Sequence, residues 1–344
     1  TKLRVKNYKS LADFEVDLHH FNVLVGPNNS GKSNILDCLA FLSDTVKMRV
    51  PEAFGKRGGY DHVVYGGKGE EEIRIIVTEL ERTVKREYTV VFRDARLGEE
   101  ELTISDGKEV ITLIKGSEGR GHCFDESEGR LMEYSLGWDY TALNALRDFR
   151  RHHRILAFAR EIEKWKVYHF VPFEMREASP VAKKFDPSYK GEEAARALHS
   201  LLSEYLSSFT EIEDTLKSAI GEIENLLSPL TYDGKTYIAI KEKDFKSPFD
   251  YYQISDGTLR FLAHLMVILA PKSELPSLAC FEEPENFVHP RLLQLLVEVL
   301  KKGKTQVVVT THSPYLVDFV EPEDLIVIEK KEGKTIPRRL GKEE

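Results

Sequence analysis

Residues 26–33 read Gly-Pro-Asn-Asn-Ser-Gly-Lys-Ser and meet the pattern G-x-x-x-x-G-K-[ST] at every fixed position. The spacing is matched to a phosphate group. Gly26 and Gly31 let the backbone wrap closely, so that successive N–H groups point at phosphate oxygens. Lys32 is long enough to reach β- and γ-phosphates, and the Ser33 hydroxyl is of the kind that ligates Mg²⁺. The flanks suit the motif. Phe21–Val25 is apolar and β-prone, as a buried strand is, and residues 34–42 repeat apolar side chains at helical spacing. A strand, a glycine loop and a helix N-terminus together make an anion site.

Three later stretches also carry reactive side chains. Residues 277–285, Ser-Leu-Ala-Cys-Phe-Glu-Glu-Pro-Glu, are an apolar strand ending in acids. Such a strand aims its carboxylates at the ligand crevice of an α/β sheet. Glu282 would then hold Mg²⁺ through water and Glu283 would polarise an attacking water as general base; the alternative is a pair of solvated loop acids. His312, in Thr-Thr-His-Ser after the next apolar strand, is either a γ-phosphate contact or an ordinary polar residue at a strand end. Ser255 and Gly257, in Ser-Asp-Gly-Thr before an apolar helix, either bind an anion with the helix dipole or form a plain cap.

The elements that must position these groups read as follows. Residues 3–18 alternate as a hairpin leading into the phosphate-loop strand, and residues 55–70 read as glycine-rich loop. Alternation around 73–77, 88–92 and within 101–114 predicts a half-exposed antiparallel sheet, and 115–130 reads as turns. A helix is expected over 140–164, a strand over 167–173 and an amphipathic helix over 192–208. A capping box at Thr210–Glu213 would open a further helix that Pro229 closes, and a hairpin would turn at Asp233-Gly234. From 259 onward short apolar strands alternate with helices, the pattern of a parallel sheet with helices on its faces.

In order, these strings resemble the ABC-type ATPase superfamily, and within it the RecF/SMC-like and OLD-like branch of stand-alone ATPases. The strings are GPNNSGKSN, SDGTLRFL, FEEPENFVHP and TTHSP, with the opening RVKNYKSLADFEVDL. The resemblance implies an α/β P-loop NTPase head with a mostly parallel core sheet, an antiparallel side sheet and a helical lid. It implies a single head of three stretches: about 1–165 with the phosphate loop, about 166–250 as an insert, and about 251–344 with the signature, the acidic strand and the histidine. It further implies ATP and Mg²⁺ as ligands, with Gly26, Asn28, Asn29, Ser30, Gly31, Lys32, Ser33 and Asn34 on the nucleotide. Ser33 and Glu282 would hold the metal, with Lys32, Glu283 and His312 catalytic. Ser255 and Gly257 of a second copy would cap the γ-phosphate, and Asn286 would lie in the loop linking two sites. ATP would thus join a homodimer that hydrolysis releases.

The chain departs from the family pattern in three places. The usual metal-side Asp is Glu282, the signature's usual Gly-Gly-Gln is Asp256-Gly257-Thr258, and no glutamine occurs between the phosphate loop and Gln253, so that Glu174 or Arg176 could substitute for the family's loop glutamine. The resemblance points to DNA repair, genome maintenance or antiviral defence, or else to a slow regulatory module that recruits a separate effector nuclease or toxin. About 220 residues separate Ser33 from Ser255, which disfavours a transporter subunit.

Bulk properties bound the rest. The 344 residues carry a net charge of −8, so the chain as a whole does not advertise nucleic-acid binding. A local basic face remains an expectation: Arg147, Arg150, Arg151 and Arg154 fall at i, i+3, i+4 and i+7 of the expected helix. That face would either grip DNA or RNA phosphates or be solvated and salt-bridged. Residues 337–342 are a second basic stretch. No apolar run is long enough for a membrane span, no signal peptide is evident, and three scattered cysteines form no metal or disulfide pattern. A cytoplasmic location is expected.

Overall fold

The computed structural model describes residues 1–67 and 71–341. They form two compact units, one made of 1–19, 26–165 and 326–340, the other chiefly of 20–25 and 166–325.

The first unit is built on an eight-stranded antiparallel sheet. Its order is Leu11–Asp17, Lys2–Tyr8, Ile73–Glu81, Val84–Arg93, Arg96–Ser105, Val110–Ser117, Arg120–Asp125, Arg130–Ser135. Alternation places Leu3, Val5, Ile73, Ile75, Val77, Tyr88 and Val90 on the buried face. Helix Lys32–Lys47 follows the phosphate loop and buries Ile35, Leu36, Leu39 and Leu42. Rings of Tyr8, Phe41, Phe54 and Phe92 pack at 4.7–5.6 Å between centroids. A closing hairpin pairs Ile326–Lys331 with Lys334–Arg339.

The second unit holds three parallel strands, Leu278–Glu282, Gln306–Thr311 and Phe21–Val25, paired in that order. Each is nearly or wholly buried, which explains their unbroken apolar composition. Helix Asp256–Ile268 is buried from Leu259 to Ile268, and Pro290–Lys302 buries one stripe, Leu293, Leu296, Val297 and Leu300. Helices Ala194–Glu204 and Leu206–Ala219 and two small strand pairs complete the unit. Among the described residues no helix is long and apolar enough to cross a membrane.

Several expectations are corrected. Residues 140–164 are not one helix: Ala142–Ala145 and His153–Glu163 flank a non-helical link. Asp148 makes that link, accepting the Arg150 amide on Oδ1 and the His152 amide on its carbonyl. Residues 115–130 are strands with turns between them, and 55–67 contain short helical turns; 68–70 lie outside the described residues. The expected strand 167–173 stops at Tyr168, because Pro172 starts a helical turn. Thr210 does not cap a helix. It lies inside Leu206–Ala219, its hydroxyl bonded to the Leu206 carbonyl at 2.9 Å, and that helix ends well before Pro229. Asp233-Gly234 does turn the chain as a short hairpin, with Leu230 bridged to Thr236 and the Thr231 amide donating to the Lys235 carbonyl at 2.7 Å, and Lys235–Thr236 pairs on its other side with Ser179–Pro180.

Candidate nucleotide site

The phosphate loop opens one residue after Val25, whose register partner is Thr311; Glu282 pairs with Thr310, and Thr310 with Leu24. Three parallel strands therefore end level with one another, and at their carboxyl ends the chain changes from apolar to reactive residues.

Both motif glycines are required by close approach. A Cβ on Gly26 would lie 2.2 Å from the Ile328 carbonyl oxygen. Gly31 has φ +105°, and a Cβ there would lie 1.9 Å from Thr335 Oγ1. Thr335 Oγ1 donates to the Ser30 carbonyl at 3.0 Å and lies 2.6 Å from Ser10 Oγ, to which the Asn34 amide donates at 2.7 Å. The loop is thus held from behind by the closing hairpin. Asn34 spends its amide on that support. Asn28, Asn29 and Ser33 are exposed, and Ser30 is buried. Lys32 Nζ donates to the loop's own carbonyls, Gly26 at 2.7 Å and Pro27 at 3.0 Å, which poises its charge inside the loop.

The acidic strand delivers Glu283 in a left-handed conformation, φ +44°, which for a side chain other than glycine costs about 1–2 kcal/mol. Several contacts hold it there. Its amide donates to the Thr310 carbonyl at 2.9 Å, Asn286 Nδ2 donates to Oε2 at 2.9 Å, and His312 Nδ1 lies 3.0 Å from Oε1. An ionised carboxylate only accepts, so Nδ1 carries the proton and Nε2 is the nitrogen left for a ligand.

Beneath the acids lies Arg260, 2% exposed, from the signature helix. Its Nη2 donates to the carbonyls of Glu282 at 3.1 Å and Glu283 at 2.8 Å. Burial lowers its guanidinium to about 10, while Glu285 and Glu283 pull the other way. Burial also raises the Glu285 carboxyl above its ordinary range, although Thr311 Oγ1 donates to it at 2.5 Å. His264, one turn along, is pushed down to about 3 by burial and by Arg260, and stays neutral.

The signature begins as a helix cap: Ser255 Oγ accepts the Thr258 amide at 3.2 Å. Gly257 is fixed by packing, since a Cβ would lie 2.5 Å from the Phe287 carbonyl oxygen. Arg176 holds this turn, donating to the Tyr251 and Ile254 carbonyls at 2.7 and 2.8 Å and to Asp256 at 2.5 Å. Glu174 sits 3.7 Å from Lys190. Neither is the neighbour of Glu282. That place belongs to Tyr189, whose hydroxyl donates to Glu282 Oε2 at 3.2 Å, and to His169, with Nδ1 3.4 Å from the same oxygen. Sequence reading missed both, together with Arg260. The one available signal was His169 immediately after the strand Trp165–Tyr168, which borders the acidic strand.

The arginine face is not formed. Arg147, Arg150 and Arg151 precede the helix, and only Arg154 lies in it. Arg147 pairs with Glu163 at 2.7 Å, Arg154 with Glu126, and Arg151 lies 3.8 Å from Asp125. In the second basic stretch Arg339 donates to the Asp17 carbonyl at 2.6 Å; Lys342 lies outside the described residues.

Residues 21–318 match the family described as "AAA domain, putative AbiEii toxin, Type IV TA system". The chain belongs to this family. Against individual proteins, it is 21% identical over 352 residues to a protein named ATP/GTP phosphatase from Helicobacter pylori (strain ATCC 700392 / 26695), covering 95% of this chain and 88% of that one. Among solved structures it is similar to an SMC head bound to the C-terminal winged-helix domain of ScpA, with TM-score 0.62 and 15% identity over 99% of this chain and 98% of the other. It is also similar to an SMC head with an extended coiled coil bound to the C-terminal domain of ScpA, from Pyrococcus furiosus, with TM-score 0.52 and 14% identity over 99% and 96%. At these identities the structures show the fold. This AAA-family chain has the α/β fold of an ABC-type, SMC-like ATPase head.

Proposed function

We propose that this ATPase binds ATP on residues 26–34 and hydrolyses it to ADP and phosphate, with Glu283 as general base. The observation that carries the reading is the Glu283 carboxylate, held by Asn286 and His312 on a strained backbone at the end of a buried strand. Lys32 charges the loop for the β- and γ-phosphates. Glu283 accepts a proton from the attacking water, and His312 offers Nε2 to a γ-phosphate oxygen, donating when its ring is protonated.

Ser33 and Glu282 supply hard oxygen donors that suit Mg²⁺, a cation that keeps several waters and takes few protein ligands. When bound, Mg²⁺ offsets phosphate charge. Tyr189 steadies the Glu282 carboxylate that would hold it, and His169 stands 3.4 Å from the same oxygen.

ATP would join two copies head to head, Ser255 and Gly257 of one facing the γ-phosphate on the other, in a cytoplasmic switch for genome maintenance or antiviral defence. A second reading has a specific observation behind it. Glu282 already has protein partners, which would slow turnover, and the family description names a toxin–antitoxin system. On that reading the ATP-bound dimer recruits a separate effector. Phosphate release and size-exclusion of Glu283→Gln with ATP and Mg²⁺ test both. We expect lost turnover and a stable dimer; turnover unchanged by the substitution rejects the assignment of the base. Rapid wild-type hydrolysis rejects the slow switch.

A further inference from the structure

The antiparallel sheet of the first unit carries a cavity of about 530 Å³ lined by residues of 93–98, 117–120 and 137–138. No residue of the phosphate loop contributes to it, and its volume falls within the ~300–1,000 Å³ typical of ligand pockets. Its walls are fixed. The Leu97 amide donates to the Trp138 carbonyl at 2.8 Å, the Glu118 amide to Gly98 at 2.7 Å and the Leu136 amide to Gly119 at 2.8 Å. Gly98 and Gly137 leave part of the lining without side chains. Gly137 and Gly119 touch through their backbones: a Cβ on Gly119 would lie 1.9 Å from the Gly137 oxygen.

The side chains at the mouth are of an unusual set for a surface. Trp138 is 42% exposed and the Arg96 guanidinium stands 4.5 Å from its ring centroid. Arg93 is neutralised by Glu72 and Glu99 at 2.9 and 3.0 Å. Among the described residues Arg96 and Arg120 form no ion pair, so two cations and one aromatic face are left for a ligand. Asp94 and Glu118 also line the cavity and offer only acceptors.

We propose that this cavity binds one nucleotide unit. The base stacks on the Arg96–Trp138 pair, Arg120 and Arg96 take the phosphate, and Asp94 or Glu118 accepts from an exocyclic amine. Planar π-faces stack on tryptophan and on guanidinium planes alike, and arginines match phosphate oxygens. The acids disfavour a bare anion, which gains nothing from them. The same chemistry is presented by a free mononucleotide and by one nucleotide of a single strand.

Intrinsic fluorescence tests this directly. The chain has two tryptophans, and Trp165 is 4% exposed. The Lys32→Ala chain, with its phosphate loop disabled, is titrated at low salt with AMP and separately with eight-nucleotide dA and dT strands. We expect saturable quenching that persists in Trp165→Phe, vanishes in Trp138→Phe and weakens roughly tenfold or more in Arg120→Ala and Arg96→Ala. Trp165 emission checks that each arginine variant is folded, and the same two substitutions made in the chain that keeps Lys32 leave basal ATP turnover unchanged. Quenching by AMP assigns the site to free nucleotide, and quenching by the strands alone assigns it to nucleic acid; either supports the proposal. No saturable quenching by any probe up to about 1 mM, or quenching that survives both arginine substitutions, overturns it.

Discussion

Replacing Arg260 by methionine separates fold stability from catalysis. Burial lowers this guanidinium well below its ordinary value, to about 10. At 1.36 kcal/mol per pH unit, holding the charge costs the folded chain on the order of 3 kcal/mol at any pH below about 10. Against that stand two charged hydrogen bonds from Nη2 to the Glu282 and Glu283 carbonyls, each worth about 1.5–3 kcal/mol. Methionine removes both sides of the balance. Buried ions replaced by apolar side chains of similar volume are often tolerated, so the stability of Arg260→Met should stay within about 2 kcal/mol of the parent. Catalysis should not be spared. Glu283 sits at φ +44° and loses the donor beneath its carbonyl, and a 1 Å displacement of a catalytic group costs about 10²-fold in rate. The assay is steady-state phosphate release, with ATP affinity by calorimetry and stability by urea denaturation. We expect a hundredfold fall in turnover on the order given, with affinity intact and partial recovery in Arg260→Lys. Turnover within about threefold of the parent, with affinity and stability intact, would refute the clamp.

Three further outcomes follow from the geometry. Glu100 is buried and raised to about 7 by that burial, despite hydrogen bonds from Ala142, Leu143 and Tyr88. From pH 4.5 to 7 the folded chain keeps a proton on Glu100 that the unfolded chain has lost, so this group's contribution to stability falls by on the order of 3 kcal/mol and then levels; Glu79, also raised to about 7, adds its own share, so Glu100→Gln should make the fall between pH 5 and 8 in urea melts shallower by that amount, and parallel curves would contradict it. Gly257→Ala forces a Cβ to 2.5 Å from the Phe287 oxygen and should cost about 1–3 kcal/mol, read as a lower melting temperature; an unchanged melt means the loop yields freely. Tyr189→Phe removes the hydroxyl that orients the Glu282 carboxylate and should raise several-fold the Mg²⁺ concentration giving half-maximal turnover, and an unshifted Mg²⁺ titration removes Tyr189 from that role.

The parts of the site that sequence made legible are those where one stretch does one job. The strand Leu278–Glu282 is buried throughout, so its composition announces it and its acids mark its end. The phosphate loop is local in the chain, so its spacing is diagnostic. What was hidden depends on side chains meeting from afar. Tyr189 reaches Glu282 across 93 positions, and nothing in either neighbourhood names the other. Arg260 reads as a polar interruption in an apolar helix until its carbonyl partners are seen. The arginine face failed for a local reason: i, i+3, i+4 spacing presumes continuous helix, and Asp148 offered the backbone a turn instead.

The wall behind the phosphate loop comes from Ile328 and Thr335, some three hundred residues downstream of the glycines they abut. During synthesis those glycines therefore emerge with nothing behind them, and the cradle is finished only when the closing hairpin leaves the ribosome. Nucleotide would thus be captured late, as a seal on the finished cradle, and not as a template around which the early residues fold.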